Sequence, residues 1–319
     1  MNPYHYTNNG PRATVKLLKN QRECARYAVE FPSARPTHHE KNNTVQGEYF
    51  QPPNAQNAPL VILFHGIGDQ LLVPCRLLAR SLVKKGMACF VLYSVFHSRR
   101  MPEELKQRYP ALTPDEWLES YVISVTDARQ VIDWAEKRPE IDSARVALLG
   151  VSFGGFISAI AMAVEDRVKA GVFLIAGGNS EKVARFSRKR SMRGFRRTRE
   201  EYEQNQSLYQ QYLAEVAEKG FEHVDVPNRS YLVDPVTFAH NLRERPVLML
   251  NAMWDEYVPQ EATLDLWEAS GKPELGWFPG THTLFWLWFP LIRRRIARFL
   301  LTTFGLNGNP ATGGKNAGI

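Results

Sequence analysis

A serine with a glycine two residues away on each side is the strongest chemical signal in the sequence. The pattern Gly150-x-Ser152-x-Gly154 follows a short apolar stretch, 145–149, typical of a strand buried on both faces, and precedes a helix-competent stretch, 156–163. On such a strand-to-helix turn the glycines allow a tight bend that holds the serine hydroxyl away from the backbone. The pattern predicts that Ser152 is a nucleophile. The alternative is a small-residue turn in which Ser152 only caps the helix.

A serine nucleophile needs a base and a group that orients the base. His282 lies in a Pro-Gly loop between the last predicted strand and the last predicted helix, and it is the predicted base. Asp255 follows the preceding strand, 246–251, and is the predicted orienting acid. Its neighbour Glu256 is the main competing candidate. Two further acids fit less well by position: Asp234 and Asp265.

Backbone N–H groups near Ser152 are the predicted donors to a developing oxyanion. The N–H of Phe153, together with the start of the following helix, is aimed at the serine hydroxyl. The N–H of Ile67 lies in a glycine-containing bend, 65–68, directly after a predicted strand. We therefore predict an oxyanion hole formed by Ile67 and Phe153. For His65, in the same bend, we predict a structural role in bonding the loop backbone.

Short apolar stretches alternate with helical patterns and predict the elements that position these residues. Strands that alternate with helices form a mostly parallel sheet covered on both faces, and functional residues collect at the carboxyl ends of its strands. Earlier in the chain, residues 26–31 and 44–50 predict an antiparallel hairpin, and residues 15–23 a short helix. The predicted strands of the alternating part are 60–64, 88–93, 145–149, 169–175, 246–251 and 274–278.

One α/β core interrupted by an insertion is the predicted domain organisation, and 319 residues suffice for it. The insertion is polar, rich in charge and helical in pattern, so it breaks the alternation of strands and helices. The predicted units are an N-terminal arm (1–24), the core (25–178 and 234–304), an inserted helical cap (179–233) and a disordered tail (305–319).

The order of the motifs along the chain resembles that of the α/β-hydrolase superfamily. A His-Gly loop, the serine pattern, an acid and a histidine follow one another as in that superfamily. The details are similar to its branch of esterases, dienelactone hydrolases and acyl-peptidases, which share the early hairpin, Gly154-Gly155 after the serine, Val258-Pro259 after the acid and Gly280 before the histidine. The resemblance covers residues 25–178 and 234–304.

This resemblance implies an α/β-hydrolase fold and a serine hydrolase. It implies Ser152, Asp255 and His282 as the catalytic triad, with Ile67 and Phe153 at the oxyanion hole.

Hydrolysis of a carboxylic ester, without a metal or an organic cofactor, is the predicted reaction. Ser152 would attack the carbonyl while His282 takes its proton, and water activated by His282 would release the acid from an acyl-enzyme. Within the same chemistry, the substrate could be a thioester or a short peptide. From a different class, the chain could be a catalytically silent binding module that uses the hydrolase pocket.

Aromatic residues near the predicted catalytic loops are candidates for substrate binding. Trp254 adjoins the predicted acid, and Phe285 begins an unusually aromatic stretch, 285–289, just after His282. The alternative for this stretch is that its rings pack against the sheet.

The formal net charge of +7 comes mainly from arginines and lysines of residues 182–199. One interpretation is a basic funnel for an anionic substrate or membrane surface. We favour a solvated helical face, paired with the glutamates that follow, and membrane-surface contact is the less favoured alternative. We expect a small-molecule ester as the partner and no nucleic acid, because no recognised nucleic-acid-binding motif accompanies the charge. Nothing in the sequence indicates an oligomeric state.

The cysteine pattern and the N-terminal residues predict a cytoplasmic protein. Cys24, Cys75 and Cys89 have no metal-like spacing and predict no disulfide framework, which is typical of a reducing compartment. The first residues lack the pattern of a signal peptide, and no stretch is long and apolar enough to span a bilayer.

Overall fold

The computed structural model describes residues 2–8, 10–69, 71–106 and 112–306, apart from the side chain of residue 191. The strands are β1 (Thr14–Gln21), β2 (Cys24–Pro32), β3 (Thr44–Gln51), β4 (Ala58–Phe64), β5 (Ala88–Leu92), β6 (Ile141–Val151), β7 (Val168–Leu174), β8 (Val247–Ala252) and β9 (Glu274–Phe278). The α-helices are α1 (Val73–Val83), α2 (Glu103–Lys106), α3 (Pro114–Ala135), α4 (Phe153–Val164), α5 (Ser180–Phe186), α6 (Arg199–Lys219), α7 (Pro235–Phe238), α8 (Gln260–Ala269) and α9 (Phe289–Thr303).

The strands form one sheet in the order β1-β2-β3-β5-β4-β6-β7-β8-β9. The pairs β1–β2, β2–β3 and β3–β5 are antiparallel. The remaining pairs, β5–β4, β4–β6, β6–β7, β7–β8 and β8–β9, are parallel. The mostly parallel sheet and the hairpin of β2 and β3 are therefore confirmed. The alternation of strands and helices, together with helices on both sides of this sheet, is the α/β-hydrolase fold.

The parallel register brings the ends of several strands to one edge of the sheet. Phe64 at the end of β4 pairs with Gly150 of β6, and Val151 at the end of β6 pairs with Leu174 of β7. At the end of β8, Ala252 pairs with Phe278 of β9. The loops that follow β4, β6, β8 and β9 consequently leave the sheet on the same side, as predicted for the loops that carry the candidate residues.

Two apolar clusters cover the two faces of the sheet. Successive residues of β4 alternate between them: Leu60 and Ile62 pack with α3 and α4, whereas Val61 and Leu63 pack with α1 and α9. All residues of β4 are buried, because helices exclude water from both faces. This double cover explains why the central strands are continuous apolar runs rather than alternating ones.

The N-terminal region differs from the prediction. Residues 15–23 were expected to be helical within an arm, but Thr14–Gln21 is the edge strand β1, antiparallel to β2. Every residue of β1 is exposed, so its side chains carry no burial pattern that could indicate a strand. Of the predicted disordered tail, residues 307–319 lie outside the described residues.

Residues 179–233, which lie between β7 and β8, contain several helices, and we call this segment the cap. The cap contains α5, α6 and short 3-10 helices at Arg190–Phe195, Phe221–His223 and Arg229–Val233. Among the helices that the structure describes, none is both long enough and apolar enough to cross a lipid bilayer.

Candidate active site

Ser152 lies on the tight turn between β6 and α4. Its backbone has φ 53° and ψ −119°, which is rare for a residue other than glycine and is typical of a strained functional turn. A Cβ on Gly150 would lie 2.0 Å from the carbonyl oxygen of Gly154, and a Cβ on Gly154 would lie 2.5 Å from the carbonyl oxygen of Phe64. The two glycines are therefore required by close backbone contacts.

Asp255 and His282 are hydrogen bonded, although their loops follow different strands. His282 Nδ1 lies 2.6 Å from Asp255 Oδ2. The other carboxylate oxygen accepts the backbone N–H groups of Tyr257 at 2.8 Å and Val258 at 2.9 Å, so Asp255 has a fixed orientation. Because a carboxylate only accepts, His282 Nδ1 carries the hydrogen and Nε2 is left with a free lone pair.

Glu256, the competing acid, faces the backbone of His282 and not its ring. Glu256 Oε2 accepts the His282 N–H at 2.9 Å, and Oε1 lies 3.1 Å from Lys189 Nζ of the cap. Burial acts to raise the pKa of Glu256, but the His282 N–H and the Lys189 ammonium outweigh burial and lower it. The geometry therefore assigns the contact with the imidazole to Asp255.

The other two acids considered as candidates support the cap. The carboxylate of Asp234 accepts the backbone N–H groups of Asn179 at 2.8 Å, Ser180 at 2.6 Å and Val236 at 3.0 Å, so it joins the start of the cap to the chain that follows the cap. Asp265 on α8 forms an ion pair of 2.7 Å with a cap lysine, Lys182. Neither acid contacts His282.

The loop after β4 lies directly beside the serine. A Cβ on Gly66 would lie 3.4 Å from Ser152 Cβ and 4.0 Å from its Oγ. Within the described ranges, neither the N–H of Ile67 nor that of Phe153 donates to another protein group. Ile67 and Phe153 each adjoin, in sequence, one member of the close contact between Gly66 and Ser152. The Ser152 hydroxyl forms no hydrogen bond with the described His282 ring, and such bonds are often long until a substrate binds.

Two buried histidines lie behind this loop. Ser94 N donates to His65 Nε2 at 3.2 Å, so the hydrogen of His65 is on Nδ1, which donates to the carbonyl of Gly66 at 2.9 Å. The His97 ring lies 5.2 Å from that of His65 and stacks on Phe153 at 5.6 Å. Burial lowers the pKa of both rings, that of His97 to about 3 with further contributions from His65 and Arg100. These contacts match the structural role predicted for His65.

An apolar hollow of about 340 Å³ adjoins the loops of Asp255 and His282. Trp254 lines it and is 56% exposed. Phe285, the second candidate for substrate binding, does not line it, because its side chain is fully buried against Phe278 and Trp286. The residues that line the hollow are Trp254, Pro279, Gly280, Leu284, Leu287 and Trp288.

The basic residues of the cap are partly neutralised, but mainly by acids other than those predicted. Among the described lysines and arginines of residues 182–199, only Arg199 pairs with one of the glutamates that follow, Glu203, at 2.8 Å. Arg197 pairs with Glu181 at 2.9 Å, and Lys182 and Lys189 pair with acids of the core. The cap is therefore connected to the core through charge.

The sequence model of the family described as "Alpha/beta hydrolase domain containing 18" matches residues 25–301, which is most of the chain. Among curated proteins, the sequence has no significant match.

Solved structures with a similar fold include esterases and a peptidase. An acetyl xylan esterase from Paenibacillus sp. R4 has a TM-score of 0.61 at 16% identity, covering 92% of this chain and 89% of that one. A cold-adapted esterase from an Arctic intertidal metagenomic library has a TM-score of 0.56 at 17% identity, covering 88% and 96%. The acylaminoacyl peptidase of Pyrococcus horikoshii has a TM-score of 0.59 at 15% identity, covering 92% of this chain and 43% of its own. At such identities the similarity shows a shared fold.

Proposed function

The chain belongs to the "Alpha/beta hydrolase domain containing 18" family, and from that premise we propose that it is a serine hydrolase that cleaves carboxylic esters. The observation that carries this proposal is the 2.6 Å hydrogen bond between His282 and Asp255, on the edge of the sheet where Ser152 occupies its strained turn. A histidine oriented by a carboxylate, on the same edge of the sheet as a half-buried serine on a strained turn, is the arrangement that supports activation of serine for acyl transfer.

In the proposed mechanism, Ser152 Oγ attacks the ester carbonyl and His282 Nε2 accepts the serine proton. Asp255 keeps the imidazole in the productive tautomer and stabilises the imidazolium that forms. The N–H groups of Ile67 and Phe153 donate to the oxyanion, and His282 then gives its proton to the departing alcohol. Water activated by His282 attacks the acyl-enzyme, which regenerates Ser152 and releases the acid.

The substrate class proposed is a small-molecule ester with an apolar group. Support comes from the hollow that adjoins the loops of Asp255 and His282, whose lining is mostly apolar and includes the exposed Trp254 ring. Two of the structural neighbours are esterases, which agrees with ester cleavage, whereas the third is an acylaminoacyl peptidase.

The test is hydrolysis of p-nitrophenyl esters from acetate to palmitate by the wild type and by Ser152→Ala. We expect turnover in the wild type and a loss on the order of 10⁶-fold in the variant, by analogy with removal of a nucleophilic serine elsewhere. A fluorophosphonate probe should label the wild type and not Ser152→Ala. Labelling without ester turnover would direct the search to thioesters or N-acyl peptides. A folded protein that is neither labelled nor active would refute the proposal and favour a silent binding module.

A further inference from the structure

Glu256 connects the base of the proposed triad to the cap. One oxygen of its carboxylate accepts the backbone N–H of His282 at 2.9 Å, and the other lies 3.1 Å from Lys189 Nζ. The Glu256 side chain is 17% exposed, so it is shielded from water more than a surface ion pair would be. It is the point at which a contact of the cap reaches the loop of His282.

Lys189 also contacts a ring that packs on the imidazole. Its ammonium lies 4.6 Å from the centroid of the Tyr257 ring, within the range of a cation–π contact. The Tyr257 ring in turn lies 5.0 Å from the His282 ring. Lys189 therefore reaches His282 along two routes, through the Glu256 carboxylate and through the Tyr257 ring.

The cap backbone next to Lys189 is bonded to the same loop. Ser187 Oγ donates to the carbonyl oxygen of Glu256 at 2.8 Å, and the N–H of Arg188 donates to that oxygen at 2.9 Å. The Arg188 guanidinium donates to the carbonyl of Trp254 at 3.0 Å. These bonds hold the cap segment that carries Lys189 against the loop that carries Glu256.

The charges around His282 nearly balance. Asp255 contacts the ring, and Glu256 contacts the backbone N–H. Lys189 and Arg188 face the loop from the cap, with the ring of Tyr257 in contact with both Lys189 and the imidazole. Because Lys189 offsets the charge of Glu256, the carboxylate of Asp255 is the main charge that the imidazolium meets.

We propose that Glu256 is a positioning residue for His282 and that Lys189, through its ion pair with Glu256, couples seating of the cap to that position. The inference rests on the proposed function, since it concerns the base of the same triad. When the cap packs against the core, it keeps the His282 loop in place, and Lys189 offsets the charge of Glu256. When the cap is displaced, the ion pair between Lys189 and Glu256 is lost, and the charge of Glu256 is no longer offset.

Variants at the two partners should change the pH dependence in opposite directions. Glu256→Gln keeps an oxygen that can accept the His282 N–H but leaves the Lys189 charge unpaired, which disfavours the imidazolium. The acid limb of the pH profile of kcat/KM should then move to lower pH, by roughly 0.3 to 1 unit for a partly exposed charge. Lys189→Met leaves Glu256 unpaired and should move the limb to higher pH by a similar amount.

The matched control is Lys182→Met, because Lys182 is also a cap lysine in an ion pair with a core acid, but its partner Asp265 does not contact His282. This control should keep the wild-type profile. The double variant Glu256→Gln/Lys189→Met should return the limb close to its wild-type position. Glu256→Ala, which removes the acceptor for the backbone N–H, should lower kcat about tenfold or more across the pH range, and Glu256→Gln should restore most of it.

The full-length chain is assayed in two ways, by ester hydrolysis and by the rate at which a fluorophosphonate labels Ser152. If the folded wild type is neither labelled nor active on esters, the proposed function fails, and this inference with it. If the wild type is labelled but Glu256→Gln and Lys189→Met move the limb in the same direction or not at all, the inference alone fails. It also fails if Lys182→Met behaves like Lys189→Met. If Glu256→Ala does not fold, the inference is tested by the opposite shifts that Glu256→Gln and Lys189→Met should produce in the acid limb of the pH profile.

Discussion

Substitution of Gly154 by alanine adds a single methyl group, and we expect it to reduce turnover much more than it reduces the stability of the fold. Gly154 is the second residue of α4, directly after Phe153, and its Cα lies close to the end of β4. A Cβ at this position would lie 2.5 Å from the carbonyl oxygen of Phe64 and 2.7 Å from that of His65. Those carbonyls begin the loop that carries Ile67, one of the two proposed oxyanion donors. Gly154→Ala therefore pushes one donor away from the other.

The size of the effect follows from these distances. Carbon and carbonyl oxygen in contact are normally at least about 3.3 Å apart, so the loop must move by roughly 0.8 Å to admit the methyl group. Overpacking of this kind costs about 1–3 kcal/mol of stability. A misplacement near 1 Å, or the loss of one oxyanion donor, lowers turnover by about 10²-fold or more. We expect kcat to fall by about 10²-fold with KM much less affected.

The assay is kcat and KM on a short-chain p-nitrophenyl ester, alongside the free energy of unfolding by denaturant. Gly194→Ala is the matched control, because a Cβ on Gly194 meets nothing within 4 Å. That variant should match the wild type in turnover and stability. A folded Gly154→Ala protein with wild-type kcat would refute the reasoning, since the loop would then have moved without consequence for the oxyanion. Equal losses in both variants would refute it too.

Three further predictions concern the acid, a buried histidine and the pocket. Asp255→Asn should lower kcat by about 10⁴-fold with little change in fold, because the amide no longer enforces the productive imidazole tautomer; a loss below tenfold would contradict its role. Because burial lowers the pKa of His97 to about 3, the unfolded chain binds its proton first as pH falls below about 6.5, so stability is lost between pH 6.5 and 3, on the order of 4 kcal/mol from this residue. Denaturant unfolding at pH 7, 5 and 4 should show a shallower decline in His97→Asn, and identical slopes would contradict this. Phe285→Ala should cost about 3–5 kcal/mol of stability, whereas Trp254→Ala should leave stability within about 0.5 kcal/mol and raise KM for longer acyl chains. If instead Trp254→Ala lowered stability and Phe285→Ala raised KM, the result would indicate that Phe285 lines the pocket.

Much of the fold could be predicted because its strands are buried on both faces. A strand such as β4 consists of apolar residues without alternation, which indicates that both of its faces are buried. The glycines around Ser152 lie in backbone contacts too close to admit a side chain. The proximity of Asp255 and His282 also followed from the sequence, since loops that leave neighbouring parallel strands meet at one edge. Their catalytic roles remain proposals.

Features that depend on distant partners could not be predicted. The strand β1 exists because its backbone pairs with β2, while its side chains stay in water and carry no pattern. The direction of Phe285 is set by Phe278 and Trp286, not by its place after His282. The contact of Glu256 with a backbone N–H across two loops has no signature in sequence at all.

The hydrogen bonds of the Asp234 carboxylate affect how freely the segment between β7 and β8 can change in sequence and length. It binds the N–H groups of Asn179 and Ser180 where the cap begins and that of Val236 just after the cap ends. The two junctions are therefore adjacent in space, and the entropy of closing the segment between them changes only slowly with its length. We therefore expect insertions or deletions within this segment to leave the spacing of β7 and β8 unchanged. Mutation can thus reshape the segment between these junctions while the sheet stays as it is.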